Sequence, residues 1–288
     1  MKSDTAGRFL RLLKLLRLSR EAMIGGTIAL CFVLIAIVVA TSKLLGLQIT
    51  PYNPIQEDVG PALAPPSLVH LMGTDVQGRD VFSRIIVATP NDLAVSIAVV
   101  GVALAAGAII GSVAAFHGGL LDELLMRFTD VVFALPALVL AMAIGVTLGP
   151  GVTNMMIALM IIWWPPYARL ARGEALRVAH QNYIEAARLS GLGTVKILFK
   201  HVFRSILVTM IVYATLDIGT VILVYSGLSY LGLSVRPPMP DWGEMVSSYQ
   251  DYLLTAPWLP VIPGFVIALG VIGFSLLGDG IRDALEAK

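Results

Sequence analysis

The chain alternates between long apolar stretches and shorter polar segments. A membrane-spanning helix needs about 20 mostly apolar residues, and six stretches meet this requirement or come close to it. The fourth is short, because two prolines at 165–166 end it. The pattern therefore predicts an all-α polytopic membrane protein with six transmembrane helices. The six windows are 22–42, 93–116, 131–148, 153–168, 206–231 and 258–278.

Lys and Arg are distributed unequally between the polar segments. If both termini are cytoplasmic, all of the 20 Lys and Arg residues lie in inner segments except Lys43, Arg79, Arg84 and Arg236. Such residues accumulate on the cytoplasmic side of membrane proteins. We therefore predict a multi-pass protein of the inner membrane with both termini in the cytoplasm.

Basic residues recur every third position near the N-terminus, at Arg8, Arg11, Lys14 and Arg17. This spacing among leucines fits an amphipathic helix between Arg8 and Arg20 on an anionic leaflet, and equally a simple topology signal. The apolar run that follows is longer than the core of a secretory signal, which has roughly 7–15 residues. We therefore interpret it as the first membrane helix.

Composition and missing motifs exclude several function classes. The chain is 57% hydrophobic and 14% charged, which is typical of membrane proteins and not of soluble domains. A net charge of +1 provides no basic field for nucleic acid, and Cys31 is the single cysteine, so no intrachain disulfide forms. Phosphate-binding GxxxxGK[ST], HExxH and GxSxG motifs do not occur in the sequence. We expect no catalytic or metal-binding residues, and any energy source must be another subunit.

Residues 169–204 form a long charged segment between two apolar windows. Within it, Asn182 is suited to an N-cap, Glu185 to a capping box, and Gly191 to the positive φ that ends a helix. Thr194 is suited to the N-cap of a second helix. A helix of about two turns is marginal in water, so we interpret this segment as a docking element for another protein. Its basic residues are Arg169, Arg172, Arg177, Arg188, Lys196, Lys200 and Arg204.

The outer segment 43–92 is rich in proline, which predicts an irregular and partly extended linker. Near its end, Asp75 and Gly78 fit the first and fourth positions of a type I turn. Asp80 fits the N-cap of a helix that leads into the second span. We expect structural roles for these aspartates, with ligand contact as the alternative.

Two features within the apolar windows bear on packing and transport. Gly107 and Gly111 have the GxxxG spacing that allows close approach of helices. Asp217 lies near the middle of the fifth window, where a charged side chain costs about 2.5–3.5 kcal/mol. It should therefore face a cavity or a partner group, and both substrate contact and an interhelical hydrogen bond stay open.

Glu185-Ala186-Ala187 with Gly191, followed by residues 197–201, resembles the EAA loop of ATP-binding-cassette importer permeases. Further motifs fit in the same order along the chain. Together they make the chain, from about residue 10 to its end, similar to the C-type permease subunit of the dipeptide/oligopeptide (peptide/nickel) family. These motifs lie at 73–75, 78–81, 122–127, 228–233, 237–243, 256–258 and 277–283.

The resemblance implies a type-1 importer transmembrane domain that pairs with a homologous permease subunit. Two ATPase subunits would bind ATP and Mg, and an extracytoplasmic binding protein would deliver substrate; this chain would bind no cofactor. The implied coupling residues are Tyr183, Glu185, Ala186, Ala187 and Gly191, and those of the translocation path are Asp217, Tyr225 and Ser229. The implied division is 1–92 for the N-terminal segment, first helix and outer loop, 93–280 for the five-helix core, and 281–288 for a cytoplasmic tail.

The chain departs from the family pattern in three places. Arg204 replaces a usual proline, which softens the break before the fifth span. Tyr225 replaces a common acidic residue, and Thr89-Pro90-Asn91 replaces a usual Gly-Ala-Arg. The last two keep nickel complexes, glutathione and oligosaccharides open as substrates beside peptides. A gradient-driven transporter would need several deep ionisable groups, and a membrane enzyme would need convergent catalytic groups, whereas only Asp217 is deep.

Overall fold

The computed structural model describes residues 20–286, so the amphipathic helix predicted between Arg8 and Arg20 lies outside it apart from its last residue. Within this range the chain forms helices, turns and an isolated β-bridge between Thr74 and Asp80. The all-α prediction is confirmed. The helices are α1 (Arg20–Leu44), α2 (Val81–His117), α3 (Gly119–Ala134), α4 (Ala137–Leu148), α5 (Val152–Ile162), α6 (Pro165–Ala179), α7 (Asn182–Leu189), α8 (Thr194–Ile197), a π-helical turn (Leu198–Val202), α9 (Phe203–Tyr230), α10 (Trp242–Tyr249), a 3₁₀ turn (Gln250–Tyr252) and α11 (Trp258–Glu286).

Four helical stretches of the described chain are long and apolar enough to cross a membrane: Arg20–Leu44, Val81–His117, Leu198–Tyr230 and Trp258–Leu285. A fifth span is possible if α3 and α4 together form one, although they are bent by 85° at their junction. The sequence predicted six spans; the described residues account for four of the windows by length and composition, or for five if α3 and α4 form one span.

The fourth window, 153–168, contains α5, which has 11 residues and ends at Ile162. At 1.5 Å per residue such a helix is about 16 Å long, roughly half the hydrocarbon thickness of a bilayer. Pro165 and Pro166 do not end α5, as the sequence suggested; they occupy the first positions of α6. Proline is favoured there because the first helical amides need no partner within the helix.

The described chain divides into two compact units. The first contains the residues up to Ile97, Gly145–Met155 and those from Thr215 onward; the second contains Ala98–Ile144 and Met156–Ala214. Because these limits cut across α2, α4, α5 and α9, each of these helices contributes to both units.

In the first unit, α1 packs against α11 through small residues. A Cβ atom at Gly25 would lie 2.4 Å from the Leu277 amide nitrogen, and one at Gly280 would lie 2.3 Å from the Ala22 Cβ. Such contacts allow helix backbones to approach closely where burial of apolar surface gives little drive for association. Trp242 lies in the adjoining core, where its ring meets Phe32 edge-on at 5.5 Å between centroids.

In the second unit, the predicted GxxxG contact is present between α2 and α6. A Cβ atom at Gly107 would lie 2.3 Å from the Tyr167 Cβ, and one at Gly111 would lie 2.1 Å from the Ala168 carbonyl oxygen. The two helix backbones therefore touch at this point.

The outer segment ends in the predicted turn and cap. The Gly78 amide donates to the Asp75 carbonyl at 3.0 Å, and Gly78 has a φ of 69°, which favours glycine. Asp80 caps α2, because its Oδ2 accepts from the Ser83 amide at 2.8 Å and from the Ser83 hydroxyl at 2.7 Å. The structural interpretation of both aspartates is confirmed.

A buried ionic network holds this segment to α10. Asp75 has no exposed surface and accepts hydrogen bonds from the Arg79 Nε at 2.6 Å and the Tyr249 hydroxyl at 2.9 Å. Arg84, 1% exposed, donates to the Pro54 and Pro238 carbonyls at 2.9 and 3.1 Å. Removal of one partner from such a network leaves an uncompensated buried charge, so the outer segment is firmly tied to the helices beside it.

Candidate coupling loop and translocation-path residues

The charged segment folds as the helices α6, α7 and α8, which are joined by short turns, and a π-helical turn that leads into α9. The first, α6, is followed by a turn at His180–Gln181, in which the Gln181 amide donates to the Val178 carbonyl at 3.0 Å. The helix α7 then begins, and the Glu185 amide donates to the Gln181 carbonyl at 3.3 Å. The N-cap is therefore Gln181, one residue before the Asn182 predicted from the sequence.

The helix α7 ends at a glycine with positive φ, as the sequence predicted. Gly191 has a φ of 76°, and the Leu192 amide donates to the Ala187 carbonyl at 3.2 Å. This is the longer hydrogen bond of a Schellman motif, in which a residue with positive φ reverses the chain at a helix end. A Cβ atom at Gly191 would meet nothing within 4 Å, so backbone conformation alone selects glycine.

Burial separates two faces of α7. Ile184 has no exposed surface and Ala187 is 8% exposed, so this side packs inward. The other side presents Glu185, Ala186 and Leu189 to solvent. Residues three and four positions apart lie on one helix face, so these three residues form a continuous exposed patch, which we call the α7 surface.

The five residues assigned to coupling therefore occupy different environments. Tyr183, Glu185, Ala186 and Gly191 are exposed, whereas Ala187 faces the interior. Tyr183 also contacts the chain behind it, since its hydroxyl lies 3.3 Å from the Ser205 hydroxyl. The coupling role of all five stays a prediction.

Beyond Gly191 the chain returns to a helix without a break at Arg204. The Ile197 amide donates to the Gly193 carbonyl at 3.1 Å, so α8 begins after Gly193 and not at a Thr194 cap. A π-helical turn, Leu198–Val202, connects α8 directly to α9. The chain is helical across Arg204, so no break separates α8 from α9 at this position.

The three path residues of α9 lie in the first unit. Asp217 is 9% exposed, which fits the expectation that its carboxylate avoids lipid. Tyr225 and Ser229 are buried and both bind Asp241: the Tyr225 hydroxyl donates to Oδ2 at 2.9 Å, and the Ser229 hydroxyl donates to Oδ1. Tyr225 is also 2.5 Å from the Ser234 hydroxyl. The role of these residues on a path stays a prediction.

Asp241 is the centre of this cluster, and the sequence analysis did not name it. Its Oδ1 also accepts from the Gly243 and Glu244 amides at 3.0 and 3.3 Å, so it caps α10. Burial raises the pKa of the Asp241 carboxyl, while the hydroxyls of Ser229 and Tyr225 act in the opposite direction. The signal was present in the sequence, because Asp241 and Glu244 have the three-residue spacing of a helix start.

A second buried carboxylate was also missed. Asp92, on α2, has no exposed surface, and neither of its oxygens has a hydrogen-bond partner within residues 20–286. Buried polar groups without partners are rare in folded proteins. Asp92 therefore joins Asp217 as a candidate for a role beyond packing.

In the second unit, α6 is joined to α3 by ion pairs. The Arg172 guanidinium donates twice to the Asp122 carboxylate, each time at 2.6 Å. Arg169 donates to Asp130 at 2.7 Å and lies over the Phe133 ring, 4.2 Å from its centroid. These ion pairs hold α6, the helix that leads into α7, to α3.

Long apolar helices, a charged loop that follows a helix held by ion pairs, and buried polar groups within the spans define an integral membrane protein with an exposed polar loop. The family model described as "Binding-protein-dependent transport system inner membrane component" matches residues 107–288. The chain belongs to this family, as the resemblance predicted.

Three relatives of the chain are permease proteins named for different transport systems. The chain is 38% identical to the dipeptide transport system permease protein of Alkalihalophilus pseudofirmus, over 96% of this chain and 88% of the relative. It is 37% identical to the probable D,D-dipeptide transport system permease protein of Escherichia coli strain K12, over 92% and 89%. It is 40% identical to the glutathione transport system permease protein of Pectobacterium atrosepticum, over 77% and 74%. The chain is thus a permease subunit of the peptide group of ATP-binding-cassette importers.

Proposed function

We propose that this chain forms half of the translocation path of an importer for di- and oligopeptides and receives its drive through α7. The observation that carries this proposal is the arrangement of α7, a two-turn helix with one face buried and one face exposed. Its exposed patch, the α7 surface, has an acid in its first turn at Glu185 and an apolar residue at Leu189, which is 90% exposed. A helix so short needs support from both sides, and the solvent side is the one left for a partner.

The partner we propose is an ATPase subunit with a groove that receives the α7 surface. Two such subunits would bind ATP and Mg and close upon them, and closure would displace α7 as a rigid piece. The chain itself would contribute no catalytic group. Its role would be to convert a movement at the cytoplasmic surface into a change of access in the membrane, which requires two discrete arrangements biased by nucleotide.

Movement of α7 would pass into the membrane region through α6. The turn between them contains only His180 and Gln181, so α6 cannot stay in place when α7 moves far. The backbone of α6 touches that of α2 at Gly111, and its Arg172 holds Asp122 of α3. Close packing and a two-point ion pair would make α2, α3 and α6 move as one body.

The complete importer would contain a second, homologous permease subunit and an extracytoplasmic binding protein. The peptide substrate is supported by the relatives named for dipeptides and for glutathione, which is itself a tripeptide. Nickel complexes and oligosaccharides are the remaining alternatives.

The experiment that tests the coupling role replaces Glu185 by Lys in the intact complex. We expect loss of the ATPase subunits on purification, or ATP-dependent uptake reduced by more than about tenfold, which corresponds to about 1.4 kcal/mol. The matched control is Glu21→Lys, which reverses an exposed acid in the first turn of α1. Equal subunit content and equal uptake in the two variants would contradict the proposal.

A further inference from the structure

One buried carboxyl group of α2 has no partner that would stabilise a negative charge on it. The Asp92 side chain has no exposed surface, and neither of its oxygens accepts a hydrogen bond from any described residue. The Trp242 amide faces it from the first position of α10 without reaching hydrogen-bond geometry. Burial of an unpaired carboxylate is costly, and the cost is avoided when the group binds a proton.

The core around Asp92 is apolar. The next residue, Leu93, belongs to the same buried cluster as Trp242, and α11 contributes Phe274 to it. The Trp242 ring nitrogen donates to the Ile85 carbonyl at 3.2 Å, which holds the start of α10 against α2. Asp92 therefore lies where three helices of the first unit meet, in surroundings that do not solvate a charge.

The titratable groups that face Asp92 supply no positive charge. They are Asp241, at the cap of α10, and Tyr225, on α9. Arg84, two turns earlier in α2, donates instead to backbone carbonyls of the outer segment and of the loop before α10. If Asp92 and Asp241 were both ionised, the core would hold two neighbouring negative charges, and such pairs do not both ionise readily.

The two carboxyl groups have unequal surroundings. Asp241 accepts hydrogen bonds from the Tyr225 and Ser229 hydroxyls and from the Gly243 and Glu244 amides, whereas Asp92 accepts none. Hydrogen bonds to a carboxylate favour its charged form, and the start of a helix favours a negative charge. Where two interacting carboxyl groups differ in this way, the one without donors keeps the proton.

We propose that Asp92 is a proton-binding site, whose carboxyl group stays protonated in the folded protein at neutral pH while Asp241 carries the negative charge. A metal ion is the other ligand that could neutralise Asp92. The oxygens of Asp241 are already occupied by hydrogen-bond donors, so a metal ion would find a single free carboxylate here. The inference concerns the charge of the packed helices and does not depend on which solute is transported.

Infrared difference spectroscopy of the purified complex at neutral pH tests the proposal directly. A protonated carboxyl group has a C=O stretching band above the amide bands, in a region where ionised carboxylates do not absorb. We expect one such band in the wild-type spectrum that Asp92→Asn removes. The control is Asp251→Asn, which changes an exposed acid of the 3₁₀ turn and should remove no band there. A band that Asp241→Asn removes and Asp92→Asn leaves in place would overturn the proposal, as would no band at all.

The pH dependence of stability provides a second measurement. In an unfolded chain an aspartic acid ionises above about pH 4, whereas Asp92 would keep its proton in the folded state. The folded state then binds one proton more, so the ratio of folded to unfolded protein falls by up to about tenfold for each unit of rising pH. Asp92→Asn lacks this dependence.

We therefore expect the Tm of the wild type to fall relative to that of Asp92→Asn between about pH 5 and about pH 8. Parallel Tm profiles of the two proteins over this range would contradict the proposal. Neither measurement uses transport, so a negative result would refute the proton site and leave the proposed function intact.

Discussion

Arg172 and Asp122 form a two-point ion pair between α6 and α3, with both nitrogen–oxygen distances at 2.6 Å. The pair lies where α6, the helix that leads into α7, meets the bent pair α3 and α4. The pair is partly buried, with side chains 35% and 16% exposed. It is therefore the contact through which we expect α6 and α3 to move together.

Arg172→Ala should weaken transport more than it weakens the fold. A partly exposed ion pair contributes about 1 kcal/mol or less to stability, so the complex should still assemble. We expect fewer peptides transported per ATP hydrolysed, measured in proteoliposomes. The control is Arg177→Ala, which removes an ion pair to Glu174 within the single helix α6. Partial recovery in the double variant Asp122→Arg with Arg172→Asp would separate the pair from the single charges, and identical coupling ratios in all variants would contradict this role.

Gly111→Ala should disturb the contact between α2 and α6. The added Cβ would lie 2.1 Å from a backbone oxygen, which cannot move aside as a flexible side chain does. Overpacking of this kind typically costs about 1–3 kcal/mol, and we expect a lower Tm of the purified complex. Gly101→Ala is the matched control in the same helix, because a Cβ there would meet nothing within 4 Å. Equal Tm values for the two variants would show that the helices do not touch at Gly111.

Gly191→Val should weaken binding of the proposed ATPase subunit. The cause would be a change of backbone conformation at the end of α7 and not a steric clash. The positive φ of this residue disfavours side chains with a Cβ by roughly 1–2 kcal/mol, and open space surrounds the position. The end of α7 would therefore change direction while the membrane helices stay intact. Gly191→Asn is the control, since asparagine tolerates this conformation better than valine. Retention of the ATPase equally well by both variants would argue against a role for this helix end.

Tyr225→Phe should reduce stability and leave the affinity for peptide unchanged. The substitution removes the hydroxyl that donates to Asp241 and leaves this buried carboxylate with fewer donors. The expected loss is about 1–3 kcal/mol, seen as a lower Tm. Asp217→Asn provides the comparison, because a changed uptake affinity in that variant alone would place Asp217 and not Tyr225 on the path. An altered affinity in Tyr225→Phe would restore the path assignment of this residue.

The positions of the outermost spans follow from the sequence, although the last helix continues eight residues beyond its window, to Glu286. The windows 22–42 and 258–278 fall within α1 and α11, because a long apolar run fixes where a membrane helix must lie. The start of α2 at Val81 was also accessible, through the cap at Asp80 and not through hydrophobicity. The role of Gly191 at the end of α7 could likewise be predicted from the sequence, since a positive φ depends on a few neighbouring residues.

The third and fourth windows show where the pattern is insufficient. Hydropathy continues across Leu135–Pro136 and across Trp163–Trp164, so it cannot reveal a bend of 85° or a helix of 11 residues. The link between Tyr225 and Asp241 was also out of reach, because it joins a span to the cap of another helix 16 residues later. Contacts of this kind depend on how helices are placed, which hydrophobic periodicity does not encode.

The π-helical turn between α8 and α9 accommodates one residue more than an α-helix would need there. The Phe203 amide donates to the Leu198 carbonyl, five residues back, so the surplus is confined to Leu198–Val202. A single-residue deletion inside these five positions would convert the turn to regular α-helix and keep the azimuth of every later side chain of α9. The same deletion after Phe203 would rotate those side chains by about 100° about the helix axis. Leu198–Val202 is therefore the stretch in which one residue can be deleted without rotating the later side chains of α9.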